Sequence, residues 1–241
     1  MSFKKSVEKL LKNYPPLFRL GSKVYHRLNN SFLTLSPETP KAILKAFKIV
    51  SESKSPSGDY YEFGLFRGYA FLKAFEHCQT LGLDTVKFHG FDSFAGLPEA
   101  EGIDVADGRF FEGQFACSKE EVESNLVSNG MDMSRVTLTE GYYEDSLTPE
   151  LKDKHDFKPA SVVLMDCDLY SSTTEALEWV DSYLQDGTII LFDDWYSFGD
   201  SEELGQQKAM EEFLAKRPNY QIEHLWKFCK HGSAYALSVI E

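Results

Sequence analysis

The chain has 241 residues, of which 42% are hydrophobic and 14% are aromatic. This size and composition suit one large α/β domain with a buried core, and they exclude an intrinsically disordered chain. The formal net charge of -13 disfavours a nucleic-acid partner, because non-specific binding of nucleic acids needs a positive surface.

The first part of the chain, residues 1–57, is predicted to be a helical segment that precedes the main domain at residues 58–241. Its first residues are rich in lysine and contain no long apolar stretch, so they predict neither a secretory signal nor a membrane span. Ser36 as N-cap and Pro37 in the first turn predict a helix that continues through the apolar run at residues 42–50.

After this segment, short apolar runs alternate with helical patterns. The alternation predicts an α/β fold with a mostly parallel sheet and helices on both faces. At the C-terminal end, two apolar runs separated by His231 and Gly232 predict an antiparallel hairpin at the edge of the sheet. The predicted strands of the parallel part cover residues 60–63, 86–91, 136–139, 162–165 and 188–192, and the predicted helices cover residues 69–81, 119–129, 173–184 and 206–216.

In open sheets of this kind, ligands bind at the carboxyl ends of the strands, so the residues that follow each strand are the candidates for a site. A turn from Glu62 to Gly68 follows the first strand, where glycines let the backbone approach a ligand closely. This loosened relative of the dinucleotide-binding motif is equally compatible with a structural turn. Asp92 and Ser93 follow the second strand, where Asp92 either accepts hydrogen bonds from ribose hydroxyls or caps the next turn.

Two further regions give weaker signals. Residues 101–115 are rich in glycine and aromatic side chains, which is typical of either a mobile lid or an ordinary loop. Gly141 and Tyr142 follow the third strand, where they would either flank an adenine ring or form a turn with a packed tyrosine.

The strongest pattern is a group of four carboxylates at the ends of the fourth and fifth strands, formed by Asp166, Asp168, Asp193 and Asp194. Like charges that are packed together disfavour ionisation unless a cation or a proton compensates. Oxygen ligands without an accompanying cysteine or histidine pattern favour a hard cation such as Mg²⁺ over zinc. As an alternative, some of the aspartates cap helices, and Asp168 is the candidate for that role.

The four cysteines do not suggest a disulfide framework or a zinc site, because none of them shows CxxC spacing. They predict reduced thiols and a cytoplasmic protein. Cys167, between two of the aspartates, is predicted to be a core residue and not a nucleophile.

Taken together, these motifs resemble the macrocin O-methyltransferase family, which includes sugar methyltransferases of macrolide and aminocoumarin antibiotic pathways. The likeness runs in order through residues 58–213, and its most specific parts are the strings FDSFAGLPE, DCDLYSST and DDW. The resemblance implies the class I fold of S-adenosylmethionine (SAM)-dependent methyltransferases, which is Rossmann-like with a seven-stranded, mostly parallel sheet. It also implies SAM and Mg²⁺ as cofactors.

The resemblance further implies a role for each motif residue. Asp168 would be the general base. The metal ion would be held by Asp166, Asp193 and Asp194. The SAM site would be lined by Glu62, Gly64, Arg67, Gly68, Asp92, Ser93, Gly141 and Tyr142. Residues 101–115 depart from the family pattern, so the resemblance says least about which acceptor is methylated.

The sequence therefore predicts a metal-dependent O-methyltransferase that acts on a hydroxyl of a small molecule, with a sugar hydroxyl of a secondary metabolite as the favoured acceptor. No nucleic-acid or membrane partner is expected, and the helical arm at residues 3–27 is a candidate contact for a homodimer. Three alternatives stay open: a catechol- or phenol-type O-methyltransferase, a non-catalytic SAM-binding protein and a nucleotide-binding oxidoreductase. The four aspartates disfavour the second alternative, and the loose glycine turn disfavours the third.

Overall fold

The computed structural model of the chain describes residues 38–52, 58–105, 110–199 and 201–240. The helix start predicted at Ser36 and Pro37 and the candidate dimer contact at residues 3–27 lie outside these ranges. The first described element, helix α1, covers Thr39–Glu52 and agrees with the helix predicted from the apolar run. Its inner face, which includes the fully buried Ile43 and Phe47, packs into the core of the sheet.

The centre of the molecule is a seven-stranded sheet with the order β3-β2-β1-β4-β5-β7-β6. The first five of these strands are parallel, and β7 runs antiparallel to both of its neighbours, β5 and β6. The predicted parallel sheet with a C-terminal hairpin is therefore confirmed. The strands are β1 Asp59–Phe63, β2 Phe88–Asp92, β3 Val136–Glu140, β4 Ala160–Met165, β5 Ile189–Phe192, β6 Tyr220–Phe228 and β7 Gly232–Val239.

The helices after α1 are α2 Tyr69–Thr80, α3 Lys119–Ser128, α4 Tyr143–Ser146, α5 Pro149–Lys154, α6 Tyr170–Val180 and α7 Gly205–Ala215. The sequence did not predict α4 and α5, because helices of 4 and 6 residues are too short to show a helical period. Single 3₁₀ turns lie at Gly102–Val105, Met133–Arg135 and Asp181–Tyr183. Among the described helices, none combines the length and apolar character that a bilayer crossing requires.

Both faces of the sheet are covered, as strand β4 illustrates. Val162 and Leu164 point into the core that α1, α2 and α3 form on one face, whereas Val163 and Met165 point into the core that α6 and α7 form on the other. Alternate side chains of a strand point to opposite faces, so a strand that is buried on both sides is mostly apolar. Strand β4 accordingly carries no charged residue, and Asp166 follows directly after its last residue.

Strands β1, β4 and β5 end at the same level. Phe63 pairs with Met165, and Met165 pairs with Phe192. The backbone hydrogen bonds between these strands continue one residue beyond the paired ends. The amide of Asp166 donates to the carbonyl of Phe63 (2.8 Å), and the amide of Asp193 donates to the carbonyl of Met165 (3.1 Å). The two aspartates therefore leave the sheet side by side.

Candidate active site

A cavity of about 770 Å³ lies at the carboxyl ends of the parallel strands. This volume is typical of sites that bind small molecules and cofactors. The sequence-predicted site residues that line the cavity are Glu62, Gly64, Arg67, Asp92, Ser93, Gly141, Tyr142, Asp166, Asp168, Asp193 and Asp194.

Gly68 is the one predicted site residue that does not line the cavity. It is the N-cap of α2 and has a left-handed backbone with a φ of 80°. A Cβ atom at this position would lie 3.1 Å from Cγ1 of Val122 in α3. Gly68 therefore lets α2 begin next to α3, and its contact with SAM stays a prediction.

Gly64 brings the ends of two strands together. Its φ is 91°, and a Cβ atom here would lie 1.9 Å from the carbonyl oxygen of Asp166. Any other residue would push the ends of β1 and β4 apart, so the glycine keeps the first turn next to the acidic strand end.

Glu62 is fully buried in β1, at the wall of the cavity. Its Oε2 accepts a hydrogen bond from the hydroxyl of Tyr60 (2.6 Å), whereas its Oε1 is buried without a partner among the described residues. Burial raises the pKa of Glu62 to about 8, and the negative charges of Asp92 and Asp193 add to this shift. A buried carboxylate oxygen without a partner favours a ligand that donates hydrogen bonds or carries positive charge.

Asp92, the last residue of β2, is held by three backbone amides. One carboxylate oxygen accepts from Leu65 (2.6 Å) and Phe66 (3.1 Å), and the other accepts from Phe94 (2.7 Å). Burial raises the pKa of Asp92, while these three hydrogen bonds lower it. A carboxylate offers roughly four acceptor positions, so Asp92 caps the neighbouring turns and still has capacity for a ligand hydroxyl.

Ser93 and Gly141 form turns at the rim of the cavity. The hydroxyl of Ser93 donates to the carbonyl of Gly96 (2.6 Å), and the amide of Gly141 donates to the carbonyl of Asp92 (3.1 Å). Tyr142 follows as the N-cap of the short helix α4. These residues are thus turn formers that also line the site.

The ends of β4 and β5 bring three carboxylates together. Asp166, Asp193 and Asp194 each offer an oxygen, and these oxygens lie within 4.8 Å of one another. Oδ1 of Asp193 also accepts a hydrogen bond from the hydroxyl of Thr39 in α1 (2.7 Å), and Oδ1 of Asp194 accepts from the hydroxyl of Ser197 (2.7 Å). The cluster predicted from the sequence is therefore assembled by the fold.

The electrostatics of this cluster favour a bound cation. Burial and then the negative charges of Asp193, Asp194, Asp168 and Glu62 raise the pKa of Asp166 well above its usual value. Burial and the charge of Asp194 raise the pKa of Asp193 to about 7. Three converging carboxylate oxygens are a ligand set that suits a hard divalent cation, whose charge would let these groups ionise.

Asp168 lies beside this cluster in a tight turn. Its φ is 61°, and the amide of Leu169 donates to the carbonyl of Cys167 across it (2.6 Å). Leu169, and not Asp168, occupies the N-cap position of α6. Cys167 is buried in the core as predicted, although it also lines the cavity.

The sequence patterns did not predict three further residues of the site region. Thr39 binds Asp193 from a helix that lies far away in sequence. Gln206 is fully buried in α7, where its Oε1 accepts from the amide of Asp194 (3.0 Å) and its Nε2 donates to the carbonyl of Met165 (3.1 Å). Asp104 binds the beginning of α6. Each acts through a contact between distant segments, and no local motif marks such a contact.

The sequence profile of the macrocin-O-methyltransferase (TylF) family matches residues 42–221 of this chain. The chain belongs to the macrocin-O-methyltransferase family. The resemblance seen in the motifs is thereby confirmed, and the match covers most of α1, the parallel strands of the sheet and both acidic strand ends.

Among curated proteins, the chain is similar to 8-demethyl-8-(2,3-dimethoxy-alpha-L-rhamnosyl)-tetracenomycin-C 4'-O-methyltransferase of Streptomyces olivaceus, with 28% identity over 143 residues. That similarity covers 57% of this chain and 53% of the relative. The chain thus spans about half the length of the curated relative that it matches.

Among solved structures, the O-methyltransferase NovP matches with a TM-score of 0.69 and 22% identity, over 83% of this chain and 79% of NovP. The O-methyltransferase TomG from Streptomyces achromogenes, in complex with SAM, matches with a TM-score of 0.56 and 17% identity, over 91% of this chain and 87% of TomG. These similarities show that the fold is that of class I SAM-dependent methyltransferases, as predicted.

Proposed function

We propose that this member of the macrocin-O-methyltransferase family is a SAM-dependent and divalent-cation-dependent O-methyltransferase that methylates a sugar hydroxyl of a secondary metabolite. The observation that carries the proposal is the convergence of Asp166, Asp193 and Asp194 in the same cavity as the glycine turn and Asp92. A site for a nucleoside donor and a site for a cation are therefore adjacent in one cleft.

The part of the cavity next to β1 and β2 fits SAM. The unpartnered Oε1 of Glu62 suits the ammonium group of the donor, and Asp92 has acceptor capacity for a ribose hydroxyl. TomG, which shares the fold, was solved in complex with SAM, and this supports SAM as the donor.

The part of the cavity next to β4 and β5 fits Mg²⁺. Asp166, Asp193 and Asp194 would hold it, since their oxygens converge and their neighbours already raise the pKa values of Asp166 and Asp193. A divalent cation at such a site supplies Lewis acidity, which lowers the pKa of an acceptor hydroxyl and orients it.

Methyl transfer requires the acceptor oxygen to approach the methyl carbon of SAM in line with the bond to sulfur. A new bond forms between oxygen and carbon while the bond between carbon and sulfur breaks, which leaves S-adenosylhomocysteine. Asp168 would accept the proton that the hydroxyl loses. Its position in the cavity wall beside Asp166 is compatible with this role.

The name of the curated relative supports a sugar acceptor, because that enzyme methylates the 4' position of a dimethoxyrhamnosyl group. The aromatic residues of the 101–115 segment do not add specific support for a phenolic acceptor. Phe110 and Phe111 are buried, and Phe115 is the only one of the three that lines the cavity.

The test is an acceptor assay with SAM labelled on its methyl group. The full chain is incubated with Mg²⁺ and either a neutral aryl rhamnoside or catechol, and the products are separated and counted. We expect label on the rhamnoside, loss of nearly all transfer in excess EDTA, and recovery when Mg²⁺ is added back. SAM binding measured by calorimetry in EDTA controls for unfolding.

Each alternative has its own result in the same assay. Transfer to catechol alone would favour the phenol-type enzyme, and SAM binding without transfer to any acceptor would favour a non-catalytic protein. Binding of NAD or NADP in place of SAM would favour an oxidoreductase. Full transfer to the rhamnoside in EDTA would contradict the metal requirement.

A further inference from the structure

Asp104 joins the segment after β2 to the helix that follows the proposed base. It lies in the 3₁₀ turn Gly102–Val105 and is only 4% exposed. Its Oδ1 accepts from the amide of Tyr170 (2.7 Å), and its Oδ2 accepts from the amide of Ser171 (3.1 Å). Both carboxylate oxygens are therefore bound to the first turn of α6.

This contact replaces a local cap. The first amides of a helix lack partners within the helix, and a polar side chain at the N-cap position commonly binds them. In α6 that position is Leu169, which makes no side-chain cap hydrogen bond. The cap comes instead from a residue 66 positions earlier in the chain.

The turn that Asp104 holds is conformationally demanding. Asp168 has a φ of 61° and stands at the centre of a γ-turn closed by the bond from the amide of Leu169 to the carbonyl of Cys167. Such turns are rare and strained for residues other than glycine. A residue keeps such a conformation when the surrounding structure holds it in place.

A small apolar cluster forms a second attachment between the same two segments. Leu97 and Phe110 are buried against Leu169, and the partly buried Phe115 and Phe198 pack around them. Leu97 and Phe115 also line the cavity. Asp104 and this cluster therefore fix one wall of the cavity to the three residues that follow Asp168.

We propose that Asp104 is a positioning residue for methyl transfer: by holding the amides of Tyr170 and Ser171, it fixes the turn that presents Asp168 to the acceptor. The proposal rests on the proposed function, in which Asp168 takes the proton of the acceptor hydroxyl. Asp104 would not touch the acceptor and would act through the backbone of α6.

The kinetics of Asp104 variants distinguish a purely stabilising helix cap from a positioning residue. Loss of a cap would lower the melting temperature and leave the turnover of the folded enzyme unchanged. Loss of a positioning contact would lower kcat, because the base is no longer held at the reacting oxygen, while SAM affinity would stay unchanged.

The experiment compares Asp104→Ala and the near-isosteric Asp104→Asn with Glu112→Gln, which neutralises an exposed carboxylate of the same segment. Steady-state kinetics with the acceptor identified above give kcat and KM, and calorimetry gives the Kd for SAM. Hydrogen exchange of the peptide that contains Tyr170 and Ser171 reports directly on the contact.

We expect faster exchange at these two amides in Asp104→Ala. We also expect a kcat that is lower by about 100-fold, which is the size of effect that a misplaced reacting group causes. Asp104→Asn keeps one acceptor oxygen and should recover part of this loss. It also keeps the test informative if the alanine variant does not fold. SAM affinity and the Glu112→Gln variant should match the wild type.

Faster exchange with an unchanged kcat would overturn the positioning role and leave Asp104 as a helix cap. Unchanged exchange in both Asp104 variants would show that the contact does not hold the helix in solution, which also overturns the proposal. Failure of the proposed function has a different signature, since the wild-type chain itself would then transfer no methyl group to any acceptor.

Discussion

The two halves of the cavity hold their acidic residues in opposite ways. At the ends of β1 and β2, burial raises the pKa of Asp92, but three backbone amides bind its carboxylate and each of these bonds works against that rise. At the ends of β4 and β5, burial and the four main charged neighbours of Asp166 all raise its pKa. Backbone hydrogen bonds thus partly offset the effect of burial on Asp92, whereas Asp166 has other carboxylates as its main electrostatic neighbours.

This difference separates the proposed tasks of the two halves. In the proposed function, the preformed hydrogen bonds around Asp92 would let the β1–β2 half bind SAM without a metal ion. The β4–β5 half would ionise fully when a cation compensates the clustered charge. Changes to the β4–β5 half should therefore alter catalysis and metal affinity while SAM binding survives.

The largest expected effect is that of Asp168→Asn. If Asp168 accepts the proton of the acceptor, the amide should lower kcat by about 10²- to 10⁴-fold, the usual contribution of general acid–base catalysis. The Kd for SAM, measured by calorimetry, should change little, because Asp168 belongs to the β4–β5 half. Asp153→Asn, which changes an exposed aspartate of α5, is the matched control, and near-normal turnover of Asp168→Asn would remove that residue from the base role.

A smaller effect is expected from Gln206→Leu, which removes both hydrogen bonds that hold Asp194 to the end of β4. Residues that orient metal ligands typically change metal affinity by about 10- to 100-fold. The midpoint of a Mg²⁺ titration, followed by thermal shift, should rise by about 10-fold or more.

The control for this variant is Gln207→Leu. Gln207 donates to the carbonyls of Trp195 and Gly199 and not to an aspartate of the cluster. Equal losses of Mg²⁺ affinity in the two variants would point to general damage of α7, and no loss in Gln206→Leu would exclude the orienting role.

The smallest expected effect is on the pH dependence of stability without metal. The pKa of Asp193 is raised to about 7 in the folded chain, whereas an unfolded aspartate titrates near 3.9, about its ordinary value. The folded state therefore binds the proton more tightly. The stability that this group contributes is complete below about pH 4 and is lost as the pH rises through about 7.

The melting temperature of the metal-free chain should accordingly fall by roughly a few degrees between pH 5.5 and pH 8. Added Mg²⁺ should reduce this fall. Asp193→Asn cannot ionise, so its melting temperature should depend less on pH than that of the wild type. Identical pH slopes for the two proteins would show that Asp193 does not carry a raised pKa in solution.

The fold class and most of the site could be predicted from the sequence because both depend on local patterns of residues. Apolar runs such as residues 162–165 mark strands that are buried on both faces, and the residues after each run come together because parallel strands end at one edge. This geometry sufficed to predict that Asp166 would meet Asp193 and Asp194. The boundaries were less exact, as for α6, which begins at Tyr170 where the pattern predicted residue 173.

Tertiary structure alone decided what supports these residues. Thr39 reaches Asp193 across 154 positions of the chain, and Asp104 reaches α6 across 66. A hydrogen bond between distant segments depends on where folding places two side chains, and no period, cap or turn signal in either segment records it. The local patterns of the chain therefore showed which carboxylates form the site, whereas the packing of the whole domain determined the environment of each one.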